Sequence, residues 1–394
     1  MAGRAAAGFE AVREEFDRLR AAEPGYTAQV AVYHRGVLVA DLWCGPEIGP
    51  GSLLAIASCT KGAAYLCAAL LVQRGDLALD APVAGYWPEF GAAGKGGITV
   101  RQLLSHRAGL IGVDGGFTLD DLHDDRALAS RLAGQRPFWR PGAGHGYHGF
   151  TMGALVGELV RRISGEPLAE FYASEVRRPR DIDLFVGLPA AYEDRVLDLQ
   201  PPPARPPGSE PAGSEPAGSE SVVTGLREIA SAAVVGDPVA AHNTRRIGAA
   251  GPASSGGMAS ARGLARLYAC CVSVVDGLTP LLTPETAAEF ARPHSVGLDL
   301  VLGYRNRYGL GFQVPDDGMS YLSARAFGHD GGGGCWGFAD PVAGVAFGYV
   351  RRRVTGPDDD GERLARAALR SAAADVTGLA SDCRAGLVDG GSPA

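Results

Sequence analysis

Lysine is almost absent from this chain. Its 394 residues include two lysines, Lys61 and Lys95, and arginine supplies the other basic residues. Arginine can replace a lysine on a protein surface, but it does not release its proton near neutral pH, whereas a desolvated lysine does. Lys61 follows Ser58 by three residues, which predicts that Ser58 is a nucleophile and that Lys61 is the base that activates it. Because a serine and a lysine at this spacing also occur by chance, the assignment depends on its context.

Three further absences limit the class of protein. No apolar run approaches the roughly 18 residues that a transmembrane helix needs. Acidic residues interrupt residues 1–20, which predicts an amphipathic helix rather than a secretory leader. The seven cysteines contain no C-x-x-C pair, which argues against a zinc site and a disulfide framework. We therefore expect a cytoplasmic protein with free thiols, no membrane partner, no metal and no cofactor.

The charge pattern argues against a nucleic-acid partner. The formal net charge is −7, and the arginines are scattered apart from the run Arg351-Arg352-Arg353. Hydrophobic residues make up 46% of the chain and charged residues 21%, as in an ordinary globular protein. A chain of this length buries a large core and is expected to form two subdomains or one large domain with an insertion. The sequence leaves the oligomeric state open.

Strand patterns occur at both ends of the chain, and helical patterns lie between them. Residues 29–43 predict two strands around the turn His34-Arg35-Gly36. The C-terminal third predicts a helix at 361–376 after strands at 308–314, 324–329, 335–339 and 345–351. This order predicts an α+β fold with an antiparallel sheet flanked by helices. The predicted subdomains are an α/β unit of residues 1–90 and 245–394 and a mainly helical insertion of residues 91–244, with the active site between them.

Residues 200–221 form a low-complexity segment. Pro201-Pro202-Pro203 precedes two copies of Gly-Ser-Glu-Pro-Ala, at 208–212 and 213–217, and a third Gly-Ser-Glu follows. The segment has too few apolar side chains to form a core. We expect a flexible surface loop with no chemical role.

Four segments form a recognisable series. They are Ser58-Cys59-Thr60-Lys61, residues 99–110 (TVRQLLSHRAGL), residues 141–149 (PGAGHGYHG) and residues 327–332 (FGHDGG). Together they resemble the serine β-lactamase and penicillin-binding-protein superfamily, and most closely its class C-like branch of esterases, D-amino-acid peptidases and acyltransferases. The resemblance runs over most of residues 25–350. It implies a β-lactamase/transpeptidase-like fold.

The resemblance also implies a catalytic role for each motif. Ser58 would attack an acyl carbonyl and form an acyl-enzyme, and Lys61 would take the serine proton directly or relay it. Tyr147 would carry protons to the leaving group and to the deacylating nucleophile. The backbone N–H groups of Ser58 and Gly332 would form the oxyanion hole.

The third motif would line the substrate cleft. His329-Asp330-Gly331 stands where the family usually has Lys-Thr-Gly, and a glycine lets a substrate approach the strand edge. His329 and Gly331 are therefore expected to contact the substrate, and His148, beside the catalytic tyrosine, is expected to face the pocket. His145 and His148 have no carboxylate or cysteine at ligand spacing, so no metal is expected there.

Two departures from the family pattern narrow the substrate. Gly149 stands where an asparagine usually ends the second motif, and His329 replaces the lysine that grips a substrate carboxylate. Both changes disfavour β-lactamase and D-amino-acid peptidase activity and favour a small-molecule ester or acyl substrate. The leading prediction is a carboxylesterase. The alternatives are a transacylase that passes the acyl group to an amine or alcohol in natural-product biosynthesis and, with less support, a non-catalytic binding protein.

Overall fold

The computed structural model describes residues 1–118, 121–202, 220–231, 237–355 and 360–385. Its strands are β1 (Ala2–Ala5), β2 (Ala28–His34), β3 (Val37–Cys44), β4 (Leu54–Ala55), β5 (Leu184–Phe185), β6 (Met258–Ala259), β7 (Ser295–Leu298), β8 (Arg305–Tyr308), β9 (Phe327–Gly331), β10 (Cys335–Asp340) and β11 (Val345–Arg351). Its α-helices are α1 (Glu10–Ala22), α2 (Lys61–Arg74), α3 (Val83–Tyr86), α4 (Val100–Leu104), α5 (Asp125–Gly134), α6 (Thr151–Ser164), α7 (Leu168–Tyr172), α8 (Glu220–Ser231), α9 (Pro238–His242), α10 (Arg245–Ala250), α11 (Ala261–Val272), α12 (Pro284–Ala291) and α13 (Asp360–Ala385).

One antiparallel sheet joins the two ends of the chain. Its strand order is β1-β3-β2-β11-β10-β9. The N-terminal and C-terminal strands meet where β2 pairs with β11, with His34 opposite Val345 and Ala28 opposite Arg351. Both of these strands are buried along their whole length. A central strand that is buried on both sides requires a helical layer on each face of the sheet.

The helical layers cover opposite faces. Phe16 of α1 and Leu364 of α13 share one core cluster with Val32 and Phe347 of the sheet, whereas α11 and α2 belong to the cluster on the other side. At Gly348 the sheet and α11 approach closely, because a Cβ there would lie 2.4 Å from the Ala261 carbonyl oxygen. The small residue therefore sets how near α11 lies to the sheet.

Helix α2 lies at the centre of the molecule. It is rich in alanine and is buried on nearly all sides, so neighbouring elements can pack around it. A Cβ on Gly62 would lie 2.5 Å from the Tyr268 hydroxyl oxygen, so α11 also approaches the first turn of α2 closely. The helix ends at Gly75, which has the left-handed φ of 82° that favours glycine. The N-terminal end of α2, which carries the serine–lysine motif, therefore lies inside the protein.

The prediction of a strand at 308–314 is wrong. Strand β8 ends at Tyr308, and the apolar side chains after it pack in the core. Gly311 has a φ of 90°, and a Cβ there would lie 2.3 Å from the Tyr65 ring. A Cβ on Gly309 would lie 2.0 Å from the Phe290 carbonyl oxygen. Because the two glycines have no side chains, this segment packs directly against the Phe290 backbone and the Tyr65 ring. An extended strand within the sheet could not make these close contacts.

The antiparallel sheet with flanking helices, and with it the α+β class, is confirmed. The division into subdomains at residues 90 and 245 stays a prediction, and most of the predicted low-complexity loop lies outside the described residues. In the described ranges, no helix combines the length and the apolar character needed to cross a membrane. The six cysteines whose side chains the structure describes are buried and free.

Candidate active site

Ser58 and Lys61 lie where a short 3₁₀ turn, Ala57–Thr60, runs into α2. Lys61 Nζ donates hydrogen bonds to Ser58 Oγ, at 3.0 Å, and to the backbone carbonyl of Ser254, at 2.7 Å. Lys61 is fully buried, and this burial lowers the pKa of its amine to about 7. A substantial fraction of the amine is therefore uncharged near neutral pH.

Tyr147 contacts the same serine hydroxyl. Its phenolic oxygen donates a hydrogen bond to Ser58 Oγ at 2.9 Å. Its ring stacks on Tyr308 with the two planes 3° apart, and Lys61 Nζ lies 5.1 Å from the ring centre. Burial raises the pKa of Tyr147 well above its usual value.

The opposite pKa shifts of Lys61 and Tyr147 distinguish their chemistry. Desolvation disfavours the charged form of either group, so it favours an uncharged amine and an uncharged phenol. An uncharged amine can accept a proton, whereas an uncharged phenol can only donate one or pass one on. The electrostatics therefore favour Lys61 as the base and Tyr147 as the proton carrier.

The end of β9 packs directly against the turn that holds Ser58. A Cβ on Gly331 would lie 2.3 Å from the Ile56 carbonyl oxygen, and the Cys59 thiol donates to the His329 carbonyl at 3.2 Å. A glycine and a small buried cysteine thus bring the strand close to the serine. Gly332 follows and lines the same cleft as Ser58, with open space where its Cβ would be. The two residues predicted to form the oxyanion hole therefore share one cleft.

The structure corrects the expected role of the His329 side chain. The imidazole is fully buried, and its Nδ1 is hydrogen-bonded to the Asp330 carbonyl oxygen at 2.7 Å. The ring packs beside Tyr147, with 5.9 Å between ring centres, and does not reach the cleft surface. Side chains alternate along a strand, so the next residue, Asp330, faces the cleft instead.

The expected substrate contact of His148 is also corrected. This imidazole is fully buried, and both of its ring nitrogens have backbone partners. Nε2 accepts the Leu110 N–H at 3.0 Å, and Nδ1 is hydrogen-bonded to the Gly146 carbonyl at 2.7 Å. Burial lowers its pKa to about 4, so the ring is uncharged at neutral pH. His148 therefore joins two backbone segments behind the site and is not available to a substrate.

Sequence reasoning missed Asp299, which holds the backbone of Tyr147. Its buried Oδ1 accepts N–H groups from Tyr147 at 3.1 Å and from Val301 and Leu302 at 2.8 Å each. Its Oδ2 accepts a hydrogen bond from Asn306 Nδ2 at 3.0 Å. The only signal in the sequence is an acidic residue within the apolar stretch of residues 298–302, and it does not reveal which segment the carboxylate binds.

Asp125, at the start of α5, is a second missed carboxylate. Its Oδ2 accepts the Ala253 N–H at 2.9 Å, next to the Ser254 carbonyl that binds Lys61. Burial raises the pKa of Asp125 to about 6. The carboxylate therefore fixes the segment that positions the lysine, although it is far from Lys61 in the sequence.

Ser58 and Tyr147 open onto a cleft of about 600 Å³. Aromatic side chains make up much of its wall, including those of Tyr304, Tyr308, Tyr321 and Trp336. In the described part of the chain, no group of three or more His, Cys, Asp or Glu side chains is arranged to hold a metal ion. The cleft is large enough for a small organic substrate.

The antiparallel sheet and a helical region meet at Ser58 and the buried Lys61, a pairing typical of serine enzymes that form a covalent intermediate. Comparison with known proteins agrees: the Beta-lactamase family model matches residues 12–372. The chain belongs to the β-lactamase family. It is a serine hydrolase with the β-lactamase/transpeptidase-like fold.

Individual relatives match most of the chain. The esterase/beta-lactamase LipL of Mycobacterium tuberculosis is 33% identical over 345 residues, which are 83% of this chain and 77% of the relative. The structure of EstA from Arthrobacter nitroguajacolicus Rue61a is 40% identical, with a TM-score of 0.86 over 95% of this chain and 100% of that one. A family VIII carboxylesterase is 31% identical, with a TM-score of 0.85 over 94% and 99% of the two chains.

Proposed function

We propose that this chain is a carboxylesterase that forms an acyl-enzyme on Ser58. The observation that carries the proposal is the pair of contacts to one hydroxyl oxygen, from Lys61 Nζ at 3.0 Å and from Tyr147 OH at 2.9 Å. A serine hydroxyl is a weak nucleophile unless a base lies within hydrogen-bond reach. Lys61 meets this condition because its pKa is lowered to about 7.

In the acylation step, Ser58 Oγ attacks the carbonyl carbon of the ester while the uncharged amine of Lys61 accepts the serine proton. Negative charge then develops on the carbonyl oxygen. The backbone N–H groups of Ser58 and Gly332 stabilise it, by about 3 kcal/mol per donor in comparable sites. When the ester C–O bond breaks, the leaving alkoxide takes a proton from Tyr147, which is restored from the Lys61 ammonium.

In the deacylation step, a water molecule takes the place of the departed alcohol. It passes a proton through Tyr147 to Lys61 as its oxygen attacks the acyl carbon. The bond to Ser58 Oγ then breaks, and Oγ recovers the proton from Lys61. The catalytic groups return to their starting protonation states, as turnover requires.

Among its described residues, the site lacks two groups that would bind a β-lactam or a peptide, namely a free lysine ammonium group and an asparagine amide at position 149, and this supports an ester substrate. Both lysines of the chain are buried, so neither ammonium group lies at the cleft surface to bind a substrate carboxylate. Gly149 has no amide to hold a peptide, and a Cβ there would already lie 3.3 Å from the Tyr147 ring. The names of the similar proteins, EstA and a family VIII carboxylesterase, also support an esterase.

The test is intact-protein mass spectrometry over time with p-nitrophenyl acetate, with and without added amines and alcohols. We expect an acetyl adduct of about 42 Da on Ser58 that decays in water alone. The Ser58→Ala variant should fold normally and show no adduct. Thr60→Ser, which keeps a hydroxyl two residues away, is a control for the proteolytic mapping of the adduct.

The lifetime and the position of the adduct distinguish the possible functions. An adduct that persists in water and disappears only when an amine or alcohol is added would make the protein a transacylase rather than an esterase. Labelling of Ser58→Ala to the same extent as the wild type would refute Ser58 as the nucleophile.

A further inference from the structure

The charged side chains that line the cleft are mostly acidic. Asp316, Asp330 and Glu362 face it, and Arg307 is the one basic residue among the described lining residues. The Arg307 guanidinium is already engaged, because it donates to the Asp317 carboxylate at 2.9 Å and to the Pro315 carbonyl at 3.2 Å. A negatively charged substrate group would therefore find no unpaired cation in this wall.

The three acidic residues differ in their partners. Glu362 accepts a hydrogen bond from Arg366 at 2.7 Å, so its charge is balanced. Asp316 accepts the backbone N–H groups of Gly318 and Met319 and so shapes the loop that carries it. Asp330 has no hydrogen bond or ion pair with an arginine or lysine among the described residues, and its charge acts on the buried Lys61 amine only at longer range.

Asp330 is held in place from one side only. Gln313 Nε2 donates to Asp330 Oδ1 at 2.8 Å, and Gln313 Oε1 accepts the Asp330 N–H at 2.9 Å. The His329 imidazole lies 3.5 Å from the same Oδ1. In the described structure Oδ2 has no hydrogen-bond partner, and the side chain is 63% exposed. Gln313 thus orients a carboxylate whose second oxygen is open to the cleft.

An aromatic side chain completes this subsite. Trp336 lies directly opposite Asp330 in the pairing of β9 with β10, so both side chains are on the same face of the sheet. Residues paired in this way have their Cβ atoms about 5 Å apart. A carboxylate beside an indole matches a positively charged ligand group, since the carboxylate supplies the charge and the ring face attracts cations.

We propose that Asp330 and Trp336 form a cation subsite that selects esters carrying a quaternary ammonium or protonated amine group. The inference rests on the proposed esterase function, whose substrate class it narrows. Asp330 is two residues from Gly332, so their Cα atoms lie within about 7 Å of each other, and both residues line the same cleft as Ser58. A cation bound at Asp330 would therefore share this cleft with the ester carbonyl.

The test compares esters that differ only in charge. Acetylcholine carries a quaternary nitrogen in its alcohol part, and 3,3-dimethylbutyl acetate carries a quaternary carbon at the same position. The phenyl esters of 4-(trimethylammonio)butanoate and 5,5-dimethylhexanoate form a second pair, in which the quaternary nitrogen or the quaternary carbon lies in the acyl part. We expect the wild type to prefer the cationic ester in at least one pair by about tenfold in kcat/KM, mainly through KM.

Two matched variants identify the source of the preference. In Asp330→Asn the cationic-to-neutral ratio should fall toward one. Asp76→Asn removes the same charge from an exposed position beyond the far end of α2, roughly 20 Å away along the helix, and should keep the wild-type ratio. A wild-type ratio of one or less in both pairs, or a ratio unchanged in Asp330→Asn, would overturn the inference.

A binding measurement separates this inference from the proposed function. The Ser58→Ala protein cannot cleave the esters through Ser58, so titration calorimetry can compare its affinity for acetylcholine and for the neutral analogue. Preferential binding that depends on Asp330, without turnover of any ester by the wild type, would support the subsite and refute the esterase. Equal binding of the two esters would refute the subsite even if the wild type hydrolyses both.

Discussion

The two lysines show how surroundings decide what a buried amine does. Lys95 Nζ donates to three backbone carbonyls, those of Ala92, Ala133 and Gln135, at 2.6–2.9 Å. All three ammonium protons are used, so Lys95 joins two segments of the fold. Lys61 has a hydroxyl and one carbonyl as partners, and its pKa is lowered to about 7. Scarcity of lysine therefore marked one catalytic candidate and one structural residue.

The pKa of Lys61 predicts how activity depends on pH. If the uncharged amine is the base, kcat/KM for a neutral ester should rise tenfold per pH unit below about 7 and level off above it. Lys61→Arg should lower kcat/KM by at least about 1,000-fold at every pH, because arginine stays protonated. Stopped-flow acylation rates between pH 5 and 9 measure both effects.

The Lys61→Arg variant also provides the decisive negative result. Circular dichroism should first confirm that it folds. A folded arginine variant with near wild-type acylation would show that proton abstraction by residue 61 is not required. A flat wild-type profile between pH 5 and 9 would contradict the assignment in the same way.

At the scale of elements, the site depends on three segments that converge from distant parts of the sequence. The turn before α2 supplies Ser58, the turn after β9 supplies Gly332, and the loop ending at α6 supplies Tyr147. The serine–lysine spacing within one helical turn could be predicted because it is local. The role of the loop before β8, which holds Tyr147 through Asp299, could not be predicted, because the contact joins residues 152 positions apart.

Asp299→Asn should lower kcat by up to about 100-fold with little change in KM, since a shift of Tyr147 misplaces its hydroxyl. The amide oxygen of the substituted side chain would accept the backbone N–H groups. Its NH₂ group would then face the NH₂ group of Asn306, and two donors cannot form a hydrogen bond with each other. The double variant Asp299→Asn/Asn306→Asp reverses donor and acceptor and should recover much of the loss. Steady-state kinetics of the three proteins measure this.

The rescue distinguishes positioning from general destabilisation. If both variants lose activity only in proportion to a fall in melting temperature, the Asp299 contact is structural and does not position Tyr147. If Asp299→Asn matches the wild type in kcat, the contact has no role in catalysis.

At the scale of the whole molecule, the burial of the Lys61 amine costs stability. Folding moves Lys61 from water, where its pKa is 10.5, to a site where the pKa is about 7. Between these pH values the unfolded chain binds one proton more than the folded chain. The free energy of unfolding should therefore rise with pH in this window, by about 1.4 kcal/mol per pH unit from this residue alone.

The Lys61→Met variant isolates this contribution because methionine does not titrate. We expect the stability of the wild type relative to Lys61→Met to increase by about 2 kcal/mol between pH 7.5 and 9. Urea denaturation at several pH values measures the difference. A difference that does not change with pH would mean that Lys61 keeps its proton in the folded protein, against its proposed role as base.

Features that depend on local patterns could be predicted from the sequence, whereas features that depend on contacts between distant residues could not. Strands β10 and β11 were predicted within a residue, because period-2 patterns are local. The segment 308–314 was not, because its apolar residues pack beside Gly309 and Gly311 against the Phe290 carbonyl and the Tyr65 ring. His329 and His148 were expected at the cleft, but alternation along β9 and hydrogen bonds to distant backbone bury them.

The sequence by itself determined the class of the protein. A serine, a lysine, a tyrosine and a glycine-rich strand in a specific order identified the family, because each motif is local and keeps its residue types wherever the chain folds. Only the tertiary structure decided the chemistry of these groups. Burial set the pKa of Lys61, and a distant carboxylate oriented Tyr147. Strand alternation presented Asp330 rather than His329 to the cleft, because desolvation and side-chain direction arise only once distant segments pack together.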